Sequence, residues 1–134
     1  MKKVEHIGIA VKDINESNQL FSKLFGKEHY KLEKVLSEGV STSFFKVGST
    51  KIELLEATNP DSPIAKFIEK RGEGIHHIAF EVKDIVSEMK RLEAEGFKLL
   101  NKEPKKGADN KWVCFIHPKS AGGVLVELCQ EIKA

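Results

Sequence analysis

The sequence predicts an α+β fold made of two tandem βαβββ modules, and three observations carry that prediction. The stretch His6-Ile-Gly-Ile-Ala-Val-Lys-Asp-Ile14 recurs as His77-Ile-Ala-Phe-Glu-Val-Lys-Asp-Ile85, identical at six of nine positions. Lys51-Ile-Glu53-Leu-Leu returns as Leu125-Val-Glu127-Leu-Cys at nearly the same separation. Each copy is also followed by one helical stretch and then three strand-like runs.

In the first module, Ile7, Ile9 and Val11 alternate with His6, Gly8 and Ala10, the period-two signature of a strand over 4–11. Asp13 is an expected helix N-cap, with Glu16 placed to complete a capping box. The helix is expected to turn Leu20, Phe21, Leu24 and Phe25 inward and to stop at Gly26. Strand-like runs follow near 29–36, 40–47 and 50–56. The second module repeats the pattern. Ile78, Phe80 and Val82 alternate with His77, Ala79 and Glu81, and Asp84 caps a helix carrying Ile85, Met89 and Leu92 before Gly96. Its strand-like runs lie near 98–102, 111–117 and 123–129. Between the modules, Asp61 or Ser62 caps a short linker helix over about 62–71, with Pro63 in its first turn and Ile64, Phe67 and Ile68 on one face. The expected organisation is a single domain over 1–134, with half-modules of about 1–58 and 73–134.

Composition narrows the function classes. With 134 residues, 40% apolar and 31% charged, the chain is of ordinary globular type and single-domain size. A net charge of +2 with dispersed lysines argues against a nucleic-acid partner. The apolar residues after Met1-Lys2-Lys3 extend only to Val11 and are broken by His6, too short a run for a secretory signal. No stretch reaches membrane-spanning length. Cys114 and Cys129 lie in apolar segments without metal-site spacing, as expected of buried thiols in a reducing cytoplasm.

The repeat itself points to a metal. Side chains alternate between the faces of a strand. If helices cover one face, Ile7, Ile9 and Val11 pack beneath the first helix and His6 faces the other way. The same parity turns His77 to that other face, and Glu53 and Glu127 join it because their neighbours Ile52/Leu54 and Val126/Leu128 are apolar. Two buried carboxylates need compensating positive charge. Two imidazoles and two carboxylates suit a divalent ion such as Co, Ni, Mn, Fe or Zn. His76, His29 and His117 have no partner in the repeat and are not expected to be ligands.

These residues on paired βαβββ modules resemble the vicinal oxygen chelate superfamily over essentially the whole chain. Within it they are most similar to the methylmalonyl-CoA epimerase family. Four segments carry the likeness: Val4-Glu-His-Ile-Gly-Ile-Ala-Val11; Asp61-Ser-Pro-Ile-Ala-Lys66; Gly72-Glu-Gly-Ile-His-His-Ile-Ala-Phe80; and Phe115-Ile-His-Pro-Lys119 leading into Gly123-Val-Leu-Val-Glu-Leu128. The resemblance implies an eight-stranded, incompletely closed cup holding one metal ion, Co first and Mn, Ni or Zn as alternatives, through His6, Glu53, His77 and Glu127. It implies an acyl-CoA thioester substrate, epimerised at C2 through an enolate, and a homodimer; the expected location, from the thiols, is the cytoplasm.

Glu127 is the expected base, its free oxygen taking the C2 proton. Where some family members carry a second glutamate, this chain has Thr42, in Gly39-Val-Ser-Thr42. Either a water held by Thr42 relays the second proton, or Glu38 or Glu81 serves, or one base works on both faces. Thr42, Lys106 and Lys119 are the expected substrate contacts, the lysines among a group with Lys102, Lys105 and Lys111 that suits CoA phosphates. A glyoxalase I-like isomerase would use a similar ligand set, but the His117-Pro118-Lys119 and Asp61-to-Lys66 segments are epimerase-like. A non-catalytic binding member would need no complete set.

Overall fold

The computed structural model describes residues 1–133. The chain divides into two compact units, one comprising His6–His76 and the other Met1–Glu5 with the chain from His77 onward. In order, the strands are β1 (Lys3–Ala10), β2 (Lys31–Val35), β3 (Val40–Val47), β4 (Thr50–Ala57), β5 (Gly74–Glu81), β6 (Lys105–Gly107), β7 (Lys111–Ile116) and β8 (Val126–Glu131). The α-helices are α1 (Ile14–Phe25), α2 (Pro63–Arg71) and α3 (Ile85–Ala94). Among the described residues no helix is long and apolar enough to cross a membrane.

Both units use one topology. In the first, β1 pairs in parallel with β4, β4 antiparallel with β3, and β3 antiparallel with β2. In the second, β5 pairs in parallel with β8, β8 antiparallel with β7, and β7 antiparallel with β6. The βαβββ repeat read from the sequence is thus present in each unit. The linker helix α2 belongs to the first, beginning at Ser62, whose Oγ accepts from Ala65 N at 3.1 Å.

Helix entry follows the sequence closely. Asp13 Oδ1 accepts from the backbone N–H groups of Asn15 (2.9 Å) and Glu16 (3.1 Å), and Asp84 Oδ1 from Ser87 N–H (3.1 Å). These are donors that the first helical turn cannot satisfy itself. Gly26 ends α1 in the left-handed conformation, φ 71°. Gly39 answers a different demand. At φ 64° a Cβ there would lie 2.8 Å from Cβ of Ser62, so only glycine lets the turn into β3 sit against the cap of α2.

The inward face of α1 differs from the expectation. Phe21 and Phe25 pack against Val11, Ile14, Phe45 and Leu54, but Leu20 and Leu24 are 63% and 69% exposed. The phase of the helix is set by polar residues. Ser17 and Asn18 are buried, and Ser43 Oγ donates to Asn18 Oδ1 at 2.5 Å. Locking Asn18 against β3 rotates its neighbours at about 100° per residue, turning Leu20 and Leu24 to the surface.

A second difference lies after α3. The run at 98–102 makes a single bridge, Leu99 to Ile116, and the strand proper is β6 at 105–107. Asn101 takes over part of the ladder: its Oδ1 accepts from Phe115 N at 3.0 Å and its Nδ2 donates to Glu103 O at 2.8 Å. A side chain that pairs with the backbone in this way competes with regular pairing. In the same unit, α3 covers Cys114, Ile116 and Leu128 with Ile85, Met89 and Leu92.

Removing a fully buried side chain from the first core should dominate over removing an exposed one. Leu54→Ala is expected to lower unfolding free energy by about 2–5 kcal/mol and Leu24→Ala to change it by less than about 0.5 kcal/mol. Urea denaturation of the two variants checks this, and a large loss at Leu24 would contradict its surface position.

Candidate metal and acid–base site

In the first unit, residues opposite one another in the ladder share a face. Gly8 pairs with Glu53, and Glu53 with Phe44. His6, Ala10, Thr42 and Leu55 have the same parity, so all of them lie on the side away from α1. On that side His6 Nδ1 sits 3.2 Å from Glu53 Oε2, and both side chains are buried.

The second unit repeats the arrangement. Glu127 pairs with Ala79 on β5 and with Phe115 on β7, on the face away from α3. His77 Nε2 lies 3.0 Å from Glu127 Oε1, again with both side chains buried, and Phe115 meets the His77 ring edge-on at 5.8 Å. The donor chemistry suits a metal. Two ligand atoms about 2.1 Å from one ion and at right angles to each other stand about 3 Å apart. Each unit therefore presents an imidazole nitrogen and a carboxylate oxygen at a spacing that neighbouring ligands adopt.

A further element of the repeat anchors each glutamate-bearing strand, and the sequence reading missed it. Three residues after Glu53, Glu56 Oε2 accepts from Ile14 N, the first N–H of α1, at 3.0 Å. Three residues after Glu127, Gln130 Oε1 accepts from Ile85 N, the first N–H of α3, at 2.8 Å. The backbone matches too, with Val11 N bonded to Leu55 O and Val82 N to Cys129 O, both at 2.9 Å. The strand carrying each glutamate is thus tied to the start of the helix packed behind it. The signal was present as an acceptor side chain three residues beyond each glutamate.

The other named residues fall as follows. Thr42 is 0% exposed and its Oγ1 has no hydrogen-bond partner among the described residues. Lys106 pairs with Trp112 and so has the parity of Cys114 and Leu128, opposite to Glu127. Lys119 lies exposed in the turn Pro118–Ser120, its N–H donating to His117 Nδ1 at 3.1 Å. Lys105 and Lys111, in contrast, share the face of Glu127. Lys105 Nζ stands 5.7 Å from the Phe115 ring centroid, while Lys111 is buried with its Nζ 3.7 Å from Glu131 Oε1. Counting parity back from Glu127 through Phe115 selects these two lysines. Glu81 ends β5 opposite Cys129, 3.9 Å from Lys2 Nζ, and Glu38 closes the short turn before Gly39. His76 packs edge-on to Phe67 and His29 edge-on to Phe45.

Comparison with known proteins agrees with this architecture. Residues 5–115 match the family model of the Glyoxalase/Bleomycin resistance protein/Dioxygenase superfamily. The chain is 42% identical over 127 residues to the mitochondrial methylmalonyl-CoA epimerase of Dictyostelium discoideum, covering 94% of this chain and 76% of that protein. It is 41% identical over 130 residues to the ethylmalonyl-CoA/methylmalonyl-CoA epimerase of Cereibacter sphaeroides, covering 96% and 97%. The solved structure of a Ser-to-Thr variant of Streptomyces coelicolor methylmalonyl-CoA epimerase in complex with 2-nitronate-propionyl-CoA superimposes with a TM-score of 0.95 at 31% identity, over 100% of this chain and 97% of that one. The chain belongs to the glyoxalase/bleomycin resistance/dioxygenase superfamily and, within it, to the methylmalonyl-CoA epimerase family.

The helix anchors carry their own test. Glu56→Ala and Gln130→Ala should each cost about 1 kcal/mol, as loss of a cap acceptor does. They should add within about 0.5 kcal/mol because they share no partner. Chemical denaturation of the two single variants and the double variant measures this. Strong non-additivity would contradict two independent copies of one device.

Proposed function

We propose that this chain interconverts (2R)- and (2S)-methylmalonyl-CoA by removing and returning the C2 proton, with one divalent ion held by His6, Glu53, His77 and Glu127. The carrying observation is that a chain matching named epimerases along almost its whole length buries an imidazole–carboxylate pair in each of its two modules. When bound, such an ion supplies a Lewis acid that eases negative charge on the thioester oxygen.

The rest falls to the chain's own side chains. Glu127 is the base, a buried carboxylate beside His77 that takes the C2 proton. Burial of His6, Glu53, His77 and Glu127 strengthens the electrostatic interactions that stabilise the enolate. Thr42 meets the acyl group. Lys106 and Lys119, both exposed, draw in the CoA phosphates at long range. Lys105 and Lys111 share the base's face and are better placed for direct contact.

Cobalt is the ion of this reading, with Mn, Ni or Zn also suited to two imidazoles and two carboxylates. The enzyme acts as a homodimer in the cytoplasm. A reducing compartment agrees with two buried free thiols, one of which, Cys114, burial pushes up to about 11 and so keeps protonated.

The test uses purified protein, one epimer of methylmalonyl-CoA, deuterated water and a panel of divalent ions. Deuterium at C2 and appearance of the other epimer are expected, both lost on chelation. Glu127→Gln should lower exchange by about 10²–10⁴-fold while circular dichroism stays unchanged. No deuterium incorporation by the wild-type protein with any ion would sink the reading.

A further inference from the structure

Resting on that reading, we infer that Lys111 binds the phosphate at the end of the pantetheine arm of the CoA substrate. Its side chain is 8% exposed, yet among the described residues its ammonium makes no hydrogen bond. Glu131 Oε1 faces it at 3.7 Å, too far for one. That carboxylate is 74% exposed, so water screens most of its charge. A buried cation met so loosely is costly. An ammonium carries three donors, and an anion that brings several acceptor oxygens satisfies them.

Local structure holds the amine in place and leaves one flank open. Asp109 and Asn110 lead into β7 at φ 58° and 54°, left-handed although neither is glycine. Asn110 is tied to the chain after β8: its O accepts from Ile132 N at 3.2 Å, and its Nδ2 donates to Ile132 O at 3.5 Å. On the β6 side the ladder partner of Lys111 is Gly107. A Cβ there would meet Val113 Cγ1 at 3.0 Å and Cγ2 at 3.1 Å, whereas glycine puts no side chain beside the amine.

Position along the ladder selects the anion. Lys111 and Glu131 pair four residues beyond Phe115 and Glu127, which is about 13 Å along the strands. The carboxylate of a methylmalonyl group is bonded to C2 itself and stays beside Glu127. The first phosphate ends an uncharged arm of about a dozen bonds, which spans about 15 Å when extended at roughly 1.5 Å per bond. Between the two ends Val113 and Cys129 are closed, at 3% and 0% exposure. The arm therefore runs along β6, past Gly107 and the exposed Lys105 whose Nζ stands 5.7 Å from the Phe115 ring centroid. All of these residues belong to the second unit, so the subsite is complete within it. The first module has no counterpart. Counted from Phe44 and Glu53, the corresponding pair is Val40 and Ala57, both apolar. Glu131 is the placeholder: it faces the ammonium until a phosphate arrives and then turns into water.

The experiment measures calorimetric binding of CoA, dephospho-CoA and pantetheine to the wild-type chain, Lys111→Met and Glu131→Gln. Lys111→Met should weaken CoA and dephospho-CoA alike by about tenfold and leave pantetheine within about twofold. Glu131→Gln should tighten both nucleotides by about threefold, because it removes the competing carboxylate. In turnover of methylmalonyl-CoA, Lys111→Met should raise KM with kcat little changed, as loss of a contact made equally in ground and transition states does. Lys111→Met should melt no lower than wild type, since it removes a buried charge and leaves Glu131 in water.

Unchanged CoA affinity in Lys111→Met overturns the subsite. An equal loss for pantetheine does so too, because it marks a structural role. A loss with CoA but not with dephospho-CoA assigns the lysine to the 3′-phosphate and likewise overturns it. If Lys111→Met fails to fold, Glu131→Gln decides with the same ligands, and no tightening overturns the subsite. The epimerase reading fails separately. A wild-type chain that binds CoA in this pattern but exchanges no deuterium at C2 supports the subsite and contradicts that reading.

Discussion

A carboxylate buried on a strand face costs several kcal/mol unless its charge is met nearby, and this chain buries one in each module. Glu53 and Glu127 each sit beside a buried imidazole on the sheet face turned away from a helix. Much of the surrounding structure holds those pairs in register. Parallel pairing sets Glu53 opposite Gly8 and Glu127 opposite Ala79, two small residues that leave room for the longer side chains. Phe44 and Phe115 close the other flank. Three residues on, Glu56 and Gln130 tie the strands to the first N–H groups of α1 and α3. A shift of one residue in either strand would turn the carboxylate into the helix-covered core.

Duplication explains the symmetry of this arrangement and also its limit. Two copies of one module supply two copies of a His/Glu pair, which suits an ion wanting several ligands. Inverting a stereocentre makes a different demand, proton transfer on both faces of one carbon, which a matched pair of ligands does not by itself meet. Thr42 and Glu33 in the first correspond by register to Val113 and Lys105 in the second. The first module thus carries a buried hydroxyl where the second is apolar, so the repeat is not symmetric on this face.

The sequence made the module pattern and the four paired residues legible because strand parity is strict, and a nine-residue repeat shows where the parity begins. It was equally clear at the entry of α1 and α3, where Asp13 and Asp84 accept from the first turn, whereas at α2 it left Asp61 and Ser62 open and Ser62 is the acceptor. Periodicity failed where a polar contact overruled it. The bond from Ser43 to Asn18 sets the rotation of α1, so Leu20 and Leu24 face outward although they read as core. Asn101 pairs with backbone and displaces the strand expected at 98–102 to 105–107. That displacement also fixes which lysines share a face with Glu127: Lys105 and Lys111 do, and Lys106 does not.

The central claim is that the two His/Glu pairs, one from each module, serve a single ion. Spectroscopic titration of the purified chain with Co²⁺ tests it most directly, with visible absorption reporting ligation. Saturation is expected at one equivalent per chain, with the spectrum lost or strongly altered when any one of His6, Glu53, His77 or Glu127 is replaced. Saturation at two equivalents, with each pair keeping its own spectrum after the other is disrupted, would contradict the shared site.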